Sequence, residues 1–127
     1  MIKIPKKIIE EIAGHARDEA PLEACGYLAG KENEVLELYR MRNIDQSSEH
    51  FSFAPKEQFG VVKKVRVMGL ELIAVYHSHP ATSARLSSED IRLALDPKTI
   101  YVIHSLLNNE TKAFKVIEGK IINETIL

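Results

Sequence analysis

The sequence predicts an α/β fold in which a mixed, curved β-sheet is flanked by about three helices. Amphipathic helical patterns and strand-like apolar runs are interspersed along the chain, with short polar turns between the segments. No repeat, linker or low-complexity tract interrupts the 127 residues, of which 45% are hydrophobic and 28% charged. We therefore expect residues 1–127 to form a single domain with its own core.

The first half of the chain predicts one helix followed by a β-hairpin. Apolar residues recur every three or four positions from Pro5 to Glu19, and Ala20-Pro21 ends this helix. Segments 24–29 and 34–39 have strand patterns, and the turn at 30–33 joins them. The inner stripe of the helix is expected to consist of Ile8, Ile9, Ile12, Ala13 and Ala16.

A second helix is predicted from Pro55 to Met68. Gly69 is suitably placed for its C-terminal cap. The helical spacing predicts that Phe59, Val62 and Val65 face inward.

The remaining elements are strands, apart from one short helix. Leu70 to Tyr76 is almost entirely apolar, which is typical of a strand buried on both faces. Ser87 to Asp90 opens a helical segment that continues to Leu95, where Asp96-Pro97 stops it. The last predicted strands cover 99–107, 112–117 and 120–127.

The most informative residues lie at the end of the apolar strand. His77 and His79 are two positions apart, so both imidazoles point to the same side of the strand. Asp90 lies in the first turn of the next helix and faces back toward this strand end. Two imidazoles and one carboxylate make three protein ligands, which is typical of a catalytic zinc site with its fourth position left for water.

Each of these residues also has an ordinary structural interpretation. Taken alone, His77 and His79 are more often satisfied polar groups than metal ligands. Ser87 and Asp90 form a good helix-capping arrangement. Glu23, near a strand start, would by default be a solvated charge. The residues together, in their structural context, favour a metal site over these interpretations.

The motifs resemble the signature of the JAMM (MPN-plus) metallopeptidases. His77-Ser78-His79-Pro80, six further residues and then Ser87-x-x-Asp90 match this signature. The segment Pro21-Leu22-Glu23-Ala24-Cys25-Gly26 matches the family's upstream glutamate motif. Asn43 to Ser47 and Phe51 to Pro55 are further family-like segments.

This resemblance implies an MPN/JAMM domain with cytidine-deaminase-like architecture. It implies one Zn²⁺ per chain on His77, His79 and Asp90, with Glu23 as the general base and Ser87 as the oxyanion donor. The implied activity is hydrolysis of the peptide or isopeptide bond after a C-terminal Gly-Gly. The implied substrate is a ubiquitin-like or sulfur-carrier protein.

Two other function classes remain as alternatives. One is a non-catalytic MPN-type interaction scaffold, although such domains typically lack metal ligands that this sequence retains. The other is a small-molecule zinc hydrolase such as a nucleobase deaminase. Cys25 is the single cysteine, so the two-cysteine ligand set of those deaminases cannot be assembled.

Composition and the remaining reactive residues narrow the function further. A net charge of −1 gives no electrostatic reason to expect nucleic acid or a membrane surface as a partner. The absence of a signal-peptide pattern and the single cysteine lead us to expect a cytoplasmic protein. Cys25 is expected to pack rather than to act as a nucleophile. Surface or core positions without a metal-binding role are expected for His15, His50 and His104.

Overall fold

The computed structural model describes all residues from Met1 to Leu127. It contains one six-stranded sheet and three helices, which confirms the predicted α/β class. No helix combines the length and the apolar character that crossing a membrane requires. The elements are α1 (Lys6–Glu19), β1 (Cys25–Lys31), β2 (Glu34–Met41), α2 (Pro55–Val67), β3 (Glu71–His79), α3 (Ser88–Leu93), β4 (Ile100–Ser105), β5 (Glu110–Ile117) and β6 (Lys120–Glu124).

The sheet is mixed, as predicted, with the strand order β2-β1-β3-β4-β5-β6. Only β3 and β4 pair in parallel, and the connection between them carries α3. The other pairs are antiparallel. The predicted β1–β2 hairpin is confirmed, and its two turn residues, Glu32 and Asn33, both have positive φ values, of 50° and 63°. Such a two-residue turn matches the twist of the strands that it joins.

The helices lie on both faces of the sheet. On one face, the predicted stripe of α1 packs on the sheet, with Ile8, Ile12, Ala13 and Ala16 buried and Ile9 partly buried. On the other face, two smaller apolar clusters lie under α2 and α3. His77 and His79 point toward this second face, because they share the strand parity of Val75, which packs in the cluster under α2. The candidate site therefore forms between the sheet and the α2–α3 layer.

The predicted orientation of α2 is wrong in one respect. Phe59 is 71% exposed instead of facing inward, whereas Val65 is buried as expected. The inner stripe runs through Val61, which packs in the cluster around Tyr27, and the buried Val65; Gln58, one turn earlier, is exposed and donates a hydrogen bond to the Tyr27 hydroxyl at 2.8 Å. One position corresponds to about 100° around a helix, so this stripe turns Phe59 into solvent.

Two element boundaries bear on the site. β3 continues beyond Tyr76 to His79, so both histidines are strand residues with fixed orientation. α3 ends at Leu93 rather than Leu95, because the Asp96 carboxylate accepts hydrogen bonds from the Lys98 amide (2.9 Å) and the Thr99 hydroxyl (3.1 Å). This turn, together with Pro97, competes with further helix.

Candidate metal centre

The structure brings His77, His79 and Asp90 together. Both histidines lie on β3 and are 1% and 5% exposed, and Asp90 lies in the first turn of α3. These three residues form the one group of three or more His, Cys, Asp or Glu side chains whose ligand atoms converge, all within 4.8 Å of one another. The parallel β3–α3–β4 crossover thus brings the helix start to the strand end, as the sequence predicted.

The three ligand atoms form a nearly equilateral triangle. The Nε2 atoms of His77 and His79 are 3.2 Å apart, and each is 3.3 Å from Oδ2 of Asp90. Nδ1 of His79 lies 2.9 Å from the carbonyl oxygen of Ser83, so this nitrogen carries the proton and Nε2 presents a lone pair. The arrangement can bind one cation through all three atoms.

Asp90 is held by the capping box that the sequence indicated. Its backbone N–H donates to Oγ of Ser87 at 3.0 Å, and its Oδ2 accepts from the backbone N–H of Ser87 at 2.9 Å. Burial acts to raise the pKa of Asp90, but its interactions with His77 and His79 and the hydrogen bond from the Ser87 backbone N–H outweigh it and hold this pKa well below its usual range. The carboxylate is therefore ionised and correctly oriented, so capping and ligation are compatible roles.

Glu23 lies in the chain immediately before β1, beside the cluster. Ala24 exchanges two hydrogen bonds with Ser78, at 2.8 and 3.0 Å. Because β1 and β3 are antiparallel, Glu23, the residue before Ala24, lies opposite His79, the residue after Ser78. Its side chain is 3% exposed, and Oε1 has no hydrogen-bond partner. Burial raises the pKa of Glu23 to about 8, with Asp90 adding to the rise and His79 opposing it. Such a carboxyl group can take up or release a proton near neutral pH.

A loop between β2 and α2 fixes the backbone of Glu23. The Glu23 N–H donates to the Ser47 carbonyl at 2.8 Å, and the Asn43 amide donates to the Glu23 carbonyl at 3.1 Å. The same amide donates to the His50 carbonyl at 3.0 Å. Sequence reasoning missed these positioning roles, since long-range hydrogen bonds from a loop leave no periodic pattern.

A cleft opens directly beside the cluster. Its volume is about 200 Å³, and Phe51, from the same loop, forms one wall with its ring 4.9 Å from that of His77. His50 also lines it, which the sequence did not indicate. The lining residues are His50, Phe51, His77, Glu89, Asp90, Leu93 and Tyr101.

The other reactive side chains lie outside the cluster, as expected. His15 is buried and pairs with the Tyr76 hydroxyl at 2.8 Å, and His104 is buried and pairs with the Thr111 hydroxyl at 2.8 Å. Cys25 packs with Tyr27 and its neighbours, and burial raises the pKa of its thiol to about 12. A thiol in this state is not an activated nucleophile.

The overall fold is shared with solved structures. A protein from Desulfitobacterium hafniense superposes with a TM-score of 0.91 at 42% identity, covering 100% of this chain and 92% of that one. A JAB1/MPN domain protein from Archaeoglobus fulgidus superposes with a TM-score of 0.66 at 20% identity, covering 99% and 97% of the two chains. The chain therefore has the α/β fold of a JAB1/MPN domain protein.

Within this class, the chain belongs to the prokaryotic homologs of the JAB domain, whose family model matches residues 5–117. It is 28% identical over 131 residues to the CysO-cysteine peptidase of Mycobacterium tuberculosis, covering 99% of this chain and 90% of that protein. It is 32% identical over 121 residues to a probable TtuB-protein conjugate cleaving protease of Thermus thermophilus, covering 94% and 79%. Both of these relatives carry names that describe proteolytic enzymes.

Proposed function

We propose that this protein is a zinc-dependent peptidase that hydrolyses the bond after the C-terminal glycine of a ubiquitin-like or sulfur-carrier protein. The observation that carries the proposal is the triangle of ligand atoms with a buried, unpartnered carboxyl group beside it. The named relatives support the substrate class, since their names describe cleavage of a cysteine adduct and of a protein conjugate.

Zinc fits the observed cluster. In a tetrahedral site, zinc–ligand bonds of about 2.0–2.1 Å put neighbouring ligand atoms roughly 3.3–3.4 Å apart. The separations of 3.2, 3.3 and 3.3 Å between His77, His79 and Asp90 agree with this spacing. Three protein ligands leave a fourth position open. When bound, zinc would supply a Lewis acid and lower the pKa of a coordinated water toward about 7.

Glu23 is proposed to move the proton during hydrolysis. Its unpartnered Oε1 is buried next to the cluster and can accept a proton from the attacking water. The protonated carboxyl group then donates to the leaving amine. Burial raises the pKa of this carboxyl group in the metal-free protein, which favours its taking up a proton.

Ser87 is proposed to stabilise the oxyanion of the tetrahedral intermediate. Its Oγ accepts a hydrogen bond from the Asp90 N–H through a lone pair, and this leaves the hydroxyl proton free. The capping bond thus orients the hydroxyl without using its proton. A donor at this position would act on charge that develops only during the reaction.

The substrate bond is proposed to follow a Gly-Gly sequence. Asp90 has a side chain 12% exposed and both histidines are buried, so the ligand atoms lie below the surface. An extended chain without side chains next to the scissile bond can approach them most closely. This argument requires no nucleic acid or membrane partner, and we propose that the protein acts in the cytoplasm.

The alternative is a scaffold that uses the fold only for assembly. A scaffold gives no reason to bury Glu23, with its pKa raised to about 8, beside an intact cluster. Burying an unpartnered carboxyl group costs free energy, which is typical of a functional site rather than of an interaction surface. The enzyme is therefore the better proposal.

Cleavage of a defined conjugate tests the proposed function. The zinc-loaded protein is incubated with a β-grasp protein that ends in Gly-Gly and carries a short C-terminal peptide, and the products are weighed by intact mass spectrometry. We expect one new species that ends at the second glycine, and no product with Glu23→Gln. Cleavage elsewhere, or no cleavage by the zinc-loaded protein, would contradict the proposal.

A further inference from the structure

The cleft beside the metal cluster presents one exposed imidazole, that of His50. Asp90 is engaged by Ser87 and the two histidines, and Glu89 pairs with Arg92 at 2.7 Å. The buried Nδ1 of His77 lacks a partner, whereas the His50 imidazole is 45% exposed and can be reached from the cleft.

His50 is held in one orientation by a network that has no part in the cluster itself. Its Nδ1 lies 2.8 Å from Oδ2 of Asp45, and Oδ1 of Asp45 accepts from the Ser52 hydroxyl at 2.7 Å. The backbone N–H of Asp45 donates to the Asn43 side chain at 3.0 Å. Hydrogen bonds from Ser52 and His50 lower the pKa of Asp45, so this residue is a carboxylate.

This network also determines which nitrogen carries the proton. A carboxylate only accepts hydrogen bonds, so Nδ1 of His50 must be the protonated nitrogen. Nε2 of the neutral ring is then a hydrogen-bond acceptor, and it makes no hydrogen bond within the chain. Nε2 is therefore an oriented acceptor in a cleft that begins at the metal ligands, and it can accept a hydrogen bond from an N–H group of the substrate.

The size of the cleft limits what can occupy it. At about 200 Å³ it is smaller than typical small-molecule sites of roughly 300–1,000 Å³. Its walls are largely apolar, from Phe51, Leu93 and Tyr101. It therefore suits one or two residues of an extended peptide, whose main-chain N–H groups need acceptors.

We propose that Nε2 of His50, oriented by Asp45, accepts a hydrogen bond from a main-chain N–H of the substrate next to the scissile bond. His50 is thus a substrate-binding residue, and this inference rests on the proposed function. Two donors are possible, namely the N–H of the last glycine and the first N–H on the leaving side. Each of these groups would donate an N–H hydrogen bond to Nε2.

Two substitutions separate the hydrogen bond from the shape of the ring. His50→Phe keeps an aromatic wall without an acceptor, and we expect KM to rise about three- to tenfold, as for loss of one neutral hydrogen bond, with kcat within twofold. His50→Gln keeps an acceptor oxygen and should recover most of the loss. Lys7→Ala, exposed on α1 across the sheet, is the matched control and should leave KM unchanged.

Ester-containing substrates then identify the donor. An ester linkage replaces either the N–H of the last glycine or the first leaving-side N–H, and both substrates are assayed at pH 8. One of the two should raise KM several-fold for the wild-type protein but not for His50→Phe. If His50→Phe has a wild-type KM, or if both esters affect the two proteins equally, the inference is wrong.

Binding without turnover distinguishes this inference from the proposed function. Affinity for the intact conjugate is measured with zinc-loaded Glu23→Gln, with and without His50→Phe. A several-fold loss on adding His50→Phe supports the inference even if the wild-type protein cleaves nothing. Equal affinities overturn it while leaving the proposed function intact, and absence of binding by both variants contradicts both proposals.

Discussion

Replacing Glu23 by glutamine should change how the stability of the metal-free protein depends on pH. Burial raises the pKa of Glu23 from 4.5 to about 8. Below pH 4.5 this carboxyl group is protonated in both the folded and the unfolded chain, so its protonation does not reduce the free energy of unfolding. As pH rises toward 8, the unfolded chain releases the proton first, and stability is lost. At 1.36 kcal/mol per pKa unit, this loss amounts to about 3 kcal/mol between pH 5 and pH 8.

Urea unfolding in the presence of a chelator measures this effect. The stability of Glu23→Gln relative to the wild-type protein should increase by about 3 kcal/mol from pH 5 to pH 8. Comparing the two pH values cancels the fixed cost of burying the amide. Glu37→Gln, at an exposed position on β2, should show no such increase. An increase below about 1 kcal/mol for Glu23→Gln would refute the claim that this carboxyl group is strongly desolvated.

The same variant separates the base from the metal ligands. Zinc-loaded Glu23→Gln should retain its metal, because His77, His79 and Asp90 are unchanged, while kcat falls at least about a hundredfold. Metal analysis and a cleavage assay on one preparation check both values. Loss of zinc from a folded variant would make Glu23 a ligand and contradict the division of roles.

Three further predictions concern the ligands, the oxyanion and the substrate. His77→Ala should lose both zinc and activity while remaining folded by circular dichroism, and full retention of zinc would exclude His77 as a ligand. Ser87→Ala should lower kcat roughly a hundredfold while zinc is retained. If the variant instead loses only about 1 kcal/mol of folding stability and keeps its activity, the role of Ser87 is limited to helix capping. Valine in place of both substrate glycines should abolish cleavage, as measured by intact mass spectrometry. Equal cleavage of the glycine and valine substrates would indicate a general peptidase.

Much of the fold could be predicted because its elements have strong local patterns. The stripe of α1 and the β1–β2 hairpin depend on periodicity and turn residues, and both were predicted correctly. The orientation of α2 was predicted wrongly, because Val61 packs in the cluster around Tyr27 and Phe59 is left in solvent. Two valines and a phenylalanine at helical spacing do not reveal such a long-range contact.

Part of the candidate site could likewise be predicted from the sequence, and part could not. Convergence of His77 and His79 follows from strand parity, and the position of Asp90 follows from the helix start, so both could be predicted. The Asn43 clamp on Glu23 and the Asp45–His50 pair could not. They depend on the path of an irregular loop, where neither hydrophobic periodicity nor ligand spacing indicates which groups meet.

Metal content per chain tests the central claim most directly. The protein is loaded with zinc and desalted, and its zinc and protein concentrations are then measured by elemental analysis alongside His77→Ala. One convergent His-His-Asp cluster predicts one zinc per chain for the wild-type protein and close to none for the variant. A wild-type value near zero, or one that His77→Ala does not lower, would contradict the assignment of this cluster as the metal centre.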